Sequence, residues 1–202
     1  MSTPMLTAQI VDSAGLPLGT AGAPLPTVTA PGEAHIGQVG GTTVVTTGVV
    51  IRPADTVAYA VGDLIGGNVA AGPGNLVTLS NVPRIPGGTG RIIRLRVATN
   101  QAAFAGTLRV HLFKTAVAPG VGDNGALAGA VANYVNYYGS ADVTLGQGIL
   151  ADGSKGFMAF SPPIGFDVPA GVSDIYAVLE TRTAFTPAAS QRFSVTIEAD
   201  VD

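Results

Sequence analysis

From Arg192 to Val201 polar and apolar residues alternate without a break. Phe193, Val195, Ile197, Ala199 and Val201 fall on one side, and Arg192, Ser194, Thr196, Glu198 and Asp200 on the other. Successive side chains of an extended chain point to opposite faces, so a period of two predicts a strand with one buried and one solvated face. Half-buried strands of this kind belong to antiparallel sheets. The alternation recurs where Ile93, Leu95 and Val97 are interleaved with Arg94 and Arg96, and where Leu108, Val110 and Leu112 are interleaved with Arg109, His111 and Phe113.

Strands are expected over 42–52, 76–82, 90–99, 107–114, 156–161, 173–182 and 191–201, where β-branched runs are separated by Gly, Pro, Asn and Asp. The connections are Gly/Pro-rich loops rather than amphipathic crossover helices. That pattern predicts an all-β fold, an antiparallel β-sandwich of jelly-roll type with an extended N-terminal arm. One stretch has helical spacing, Leu127, Val131, Tyr134 and Tyr138, with Gly125 and Gly129 acting against it.

A chain of 202 residues suits one medium β domain, placed at 42–202, plus an appendage. Residues 1–41 form that appendage, an extended or flexible arm in which Pro17, Pro24, Pro26 and Pro31 alternate with Gly15, Gly19, Gly22 and Gly32. Too small and proline-broken to bury a core alone, the arm is expected to order only on a partner.

The chain has no cysteine, which excludes disulfides and thiolate metal sites. No basic segment precedes an apolar run at the start, and nowhere do about 18 apolar residues follow one another. A soluble protein made in the cytoplasm, without a membrane partner, is the expectation. The first basic residue is Arg52, and the segment before it carries only Asp12 and Glu33 as charges. Phosphate neutralisation needs Lys and Arg, so the arm is not expected to bind nucleic acid.

No arrangement of nucleophile, base and orienting group stands out, and neither a catalytic residue nor a cofactor or metal site is predicted. His111 alternates within a strand, and His35 lies in the arm without a candidate partner. Asp142, Asp152, Asp167 and Asp174 could tempt a glycosidase reading, yet each sits beside residues where an Asp commonly makes a local turn bond. Gly122-Asp123-Asn124-Gly125 reads as a turn, since a calcium loop needs more oxygens. The chain is therefore expected not to be an enzyme.

Two features could serve partners. Between Leu64 and Gly122 there is no Asp or Glu, while Arg84, Arg91, Arg94, Arg96, Arg109 and Lys114 fall there. These cations either pair with Glu180, Glu198 and Asp200 across neighbouring strands or form a basic face for an acidic protein surface. Arg94, Arg96 and Arg109 are expected to project from one sheet face. Tyr134, Tyr137 and Tyr138 form the one aromatic cluster, and either pack in a core or subunit contact or offer stacking surfaces to a glycan.

The segment VTTGVVIRPADTVAYAVGDLIGG, from Val45 to Gly67, resembles the opening of a group of small tailed-bacteriophage structural proteins. LRVHLFKTAVAPGVGDNGAL, from Leu108 to Leu127, and IYAVLETRTAFTPAASQRFSVTIEADV, from Ile175 to Val201, are similar to that group's middle strand and last hairpin. The resemblance implies a virion structural protein. Its expected role is capsid decoration or cement on the outside of the head, with the major capsid protein or other virion proteins as partners and a homo-oligomer, such as a trimer, as its state. The alternative it leaves open is a tail or head-fibre module that binds a host-surface glycan or receptor. The resemblance carries no catalytic residues to transfer.

Overall fold

The computed structural model describes residues 42–102, 104–128, 135–147 and 153–201. The expected arm over 1–41 lies outside the described residues. All described strands belong to one unit, Gly41–Asp202. They are β1 Thr42–Ile51, β2 Leu64–Ile65, β3 Val77–Leu79, β4 Thr89–Thr99, β5 Gly106–Phe113, β6 Tyr137–Gln147, β7 Ser154–Asp167, β8 Ile175–Thr181 and β9 Arg192–Val201. Helical geometry among the described residues is limited to 3-10 turns, at Pro73–Asn75 and at 135–136 just before β6.

Every strand pairing is antiparallel, and the order runs β1-β9-β4-β7-β6-β5-β8-β2, with β3 also on β8. Between β6 and β7 the ladder is short, with only Gly146 opposite Lys155 and Gln147 opposite Ser154. The sheet curls there into two layers, β1-β9-β4-β7 and β3-β8-β5-β6. That interleaving of early and late strands is the jelly-roll arrangement expected from the sequence. One core fills the space between the layers. It joins Leu95, Val97, Val195 and Ile197 of the first to Val110, Leu112, Val143 and Leu179 of the second.

The long alternation at the C-terminal end takes the predicted register. Phe193, Val195, Ile197, Ala199 and Val201 are buried, and Arg192 and Asp200 are exposed on the other face. In β4 the expected face is corrected. Against β9 the partners of Ile92 and Arg94 are the consecutive residues Ala199 and Glu198, so Ile93 is an extra residue in a bulge, and β7 breaks register at the same place. A bulge resets the period of two. Ile92, rather than Ile93, therefore shares the core with Leu95 and Val97.

The helical expectation near Tyr138 is also corrected. Residues 129–134 lie outside the described residues, but Tyr137 and Tyr138 open β6. Gly139 has a φ of 146°, in the region open to glycine, and the chain then alternates Ala141, Val143 and Leu145 inward against Asp142 and Thr144. That period was present in the sequence, but small residues around it blurred the signal.

At Gly48 the two layers come close. A Cβ there would meet the Thr78 carbonyl oxygen at 2.4 Å and Val77 Cγ1 at 2.5 Å, so β1 and β3 can approach only without a side chain.

Candidate functional site

The alternation that sends Leu95 and Val97 into the core sends Arg94 and Arg96 outward from β4. Both reach one carboxylate: Arg94 Nη1 lies 3.1 Å from Glu198 Oε2, and Arg96 donates to Oε1 of the same group. About half of each arginine side chain stays exposed. Of the other expected cross-strand acceptors, Asp200 accepts from Thr43 Oγ1 at 2.9 Å, while Glu180 takes Arg182 and His111. Among the described residues Arg84 and Arg91 make no ion pair.

Arg109 does not share a face with the other two, which corrects the expectation. β4 and β5 follow one another in sequence but belong to different layers. Each turns its apolar side to the common core, so their polar sides face away from each other. Arg109 instead meets its register partner on β6, Asp142, through two parallel bonds, Nε to Oδ1 at 2.6 Å and Nη2 to Oδ2 at 2.9 Å. This fork holds the Asp142 carboxyl below its usual range. Asp142 thus lies in a strand rather than a turn, as does Asp167 at the end of β7, where it pairs with Lys114. Asp152 lies outside the described residues.

The tyrosine cluster separates. Tyr134 lies outside the described residues. Tyr138 packs against the main core, and its hydroxyl donates to the Asp167 carbonyl. Burial, together with the nearby Asp167 charge, pushes its phenol up to about 12. Tyr137, its neighbour in the strand, turns the other way, onto the outer face of the second layer. Its ring lies 5.3 Å from that of Phe113, centroid to centroid.

That outer face carries a pocket of about 370 Å³. Its floor is the polar side of β5 and β8, Arg109, His111, Phe113, Val178 and Glu180, with Tyr137 and Ser140 from β6 beside them. Its wall is the loop after β5, where Val117 packs with Val178 and Leu64 into a second, smaller hydrophobic cluster. A hydrogen-bonded chain crosses the floor. Arg182 Nη1 donates to Glu180 Oε1 at 3.1 Å, and His111 Nε2 lies 2.8 Å from Glu180 Oε2. A carboxylate only accepts, so Nε2 carries the proton. In the neutral ring Nδ1 then accepts from the Tyr137 hydroxyl at 3.2 Å. Alternation within β5 marks His111 as a polar-face or interface residue and no more. Its partners come from β6 and β8, which only the sheet order brings together.

A further cluster was missed altogether. Arg52, fully buried, sets Nη2 3.0 Å from Asp123 Oδ2 and 3.2 Å from Asp55 Oδ1, and also donates to the Tyr59 hydroxyl. Asp123 further accepts from Tyr59 and, at 2.8 Å, from the Gly66 amide. Burial and the neighbouring Asp123 carboxylate push the Tyr59 phenol far above its ordinary range. The turn foreseen at Gly122-Asp123-Asn124-Gly125 is present, and it also delivers this carboxylate. The available signal was phase: in β1 the even positions, Gly48 and Val50, face inward, and Arg52 continues them.

Among the described residues no three His, Asp or Glu side chains gather as metal ligands, and no helix is long and apolar enough to cross a membrane. No family model and no curated protein matches the chain. Among solved structures, a chain from the capsid asymmetric unit of cyanophage Pam1 is similar over 86% of this chain and 94% of its own, at 13% identity and a TM-score of 0.30. Likeness at that level does not establish a common fold.

Proposed function

We propose that this protein is a non-enzymatic structural component of a bacteriophage virion, a decoration protein that binds the outside of the head through the free face of the β1-β9-β4-β7 layer. The observation that carries the reading is that face. Val45 and Ile51 of β1 are each 56% exposed, and Phe157, opposite Arg96 on β7, is 75% exposed. Between these apolar margins lie Arg94, Arg96 and Glu198. The layer ends in β1, ten residues without a charge that pair among the described residues only with β9. A long, uncharged, β-branched edge is an aggregation hazard unless something covers it. Large apolar side chains grouped in the open on one face, here Val45, Val49 and Ile51 along β1 and Phe157 on β7, mark a surface that works attached to others. The sequence resemblance to tailed-phage structural proteins names the setting, with the major capsid protein and further copies of this chain as partners.

Copy number tests the location. Quantitative mass spectrometry of purified particles is expected to give a fixed, high ratio of this chain to the major capsid protein. A handful of copies per particle would move it to the tail or a fibre. The face is tested by Val45→Asp with Phe157→Asp, both at exposed positions. The doubly substituted protein should stay folded and fail to rebind heads stripped of it, and full rebinding would overturn the proposed face.

A further inference from the structure

We propose that the pocket on the opposite layer is a binding site for a neutral saccharide unit. The site lies on the far side of the core from the docking face, so an attached subunit would still present it to solvent. Its volume of about 370 Å³ is near the lower end of the roughly 300–1,000 Å³ range of ligand pockets, which suits one unit or the end of a sugar chain.

The ligand class follows from how the walls are divided. Phe113, Tyr137 and Val117 give an apolar side on which the C–H face of a sugar ring can rest. Opposite them, acceptors and donors are interleaved. The Glu180 oxygens each hold one partner and have further lone pairs, while Arg109 has N–H groups beyond the two given to Asp142. A hydroxyl donates and accepts at once, so adjacent hydroxyls match such an edge better than any purely cationic or anionic group. The charges also cancel, Arg109 and Arg182 against Glu180 and Asp142. An anion entering would meet Glu180, and a cation Arg109.

A peptide strand is disfavoured for a separate reason. The pocket lies over a sheet face, and β5 beneath it is paired on both sides, with β6 and with β8, leaving no backbone edge to extend. The relay from Arg182 through Glu180 and His111 to Tyr137 fixes the side chains before a ligand arrives, which lowers the ordering cost of binding.

Saturation-transfer NMR on the full chain tests this with cellobiose, lactose, maltose and diacetylchitobiose, and with sialyllactose as the anionic probe. At least one neutral disaccharide should receive saturation. Glu180→Gln, which keeps the shape but removes the charged acceptor, should weaken that binding ~tenfold or more. Gly120→Trp gives an independent check. Gly120 lines the pocket, and a Cβ there meets nothing within 4 Å, so the indole can fill the mouth without disturbing the fold. It should abolish the signal at an unchanged melting temperature. No signal from any neutral sugar, a signal that survives Gly120→Trp, or binding of sialyllactose alone would each overturn the proposal.

Discussion

Asp123→Ala removes the carboxylate on which the Arg52 cluster converges. Arg52 has no exposed side-chain surface and Asp123 only 1%, so their attraction acts with little screening. Without Asp123 the guanidinium keeps a single counter-charge among the described residues, Asp55, itself 35% exposed, beside neutral acceptors such as the Tyr59 hydroxyl. Breaking a buried pair by deleting one partner costs about 3–5 kcal/mol. The Gly66 amide also loses its acceptor, which alone would cost about 1–3 kcal/mol, but neighbouring effects do not add, and we take the pair figure for the whole. For a domain of this size each kcal/mol lowers the melting temperature by about 2–4 °C, so the drop should be roughly 6–20 °C. Urea unfolding followed by circular dichroism should show a lower midpoint with an unchanged slope. The coupling is read by adding Arg52→Met. The double variant should be less destabilised than the sum of the two single variants by about 1–3 kcal/mol, because each single one strands a polar group the other removes. A cost below about 1 kcal/mol for Asp123→Ala, or simple additivity, would refute the role given to this cluster.

Ile197→Ala in β9, at a fully buried position, should cost about 2–5 kcal/mol, and a melting temperature equal to that of the parent would show the register to be wrong. Gly48→Ala should destabilise strongly, since its methyl would press on the Thr78 carbonyl at 2.4 Å; a variant as stable as the parent in urea would show that β1 and β3 do not approach this closely. The lowered Asp142 carboxyl makes a contribution that is complete above the ordinary aspartate range near pH ~3.9 and is lost as pH falls through the folded value. Arg109→Gln should therefore raise the Asp142 midpoint in a carboxyl NMR titration and reduce the loss of stability on acidification, and an unmoved midpoint would count against the fork. Tyr138, pushed up to about 12, works in the opposite direction: its contribution is complete below the ordinary tyrosine value near ~10 and is lost as pH rises past its folded value. Tyr138→Phe should blunt the alkaline loss seen in thermal melts.

Local alternation was enough to place most strands and their buried faces, because a period of two is a property of the chain and needs no partner. Phe193, Val195 and Ile197 are core residues in any antiparallel sheet. Ile93 shows the limit: its bulge is set by the neighbouring strand β9, which meets Ile92 and Arg94 with the consecutive residues Ala199 and Glu198 and leaves the residue between them over. Tyr137 and Tyr138 looked like one cluster because they are adjacent, yet adjacency in a strand is what sends them to opposite faces.

Sites depended on layer assignment. The sequence determined that Arg94, Arg96 and Arg109 point away from a core; the tertiary structure decided that the core lies between them, so that Arg109 joins a different surface. His111 and Glu180 are separated by 69 positions and Arg52 and Asp123 by 71, and no periodicity links such residues. What unites them is the order in which strands pair, β8 beside β5, and a loop after β5 that carries Asp123 to Arg52. Short-range pattern fixes which way a side chain points because it follows from backbone geometry, whereas which side chains meet is decided only when distant segments share a core.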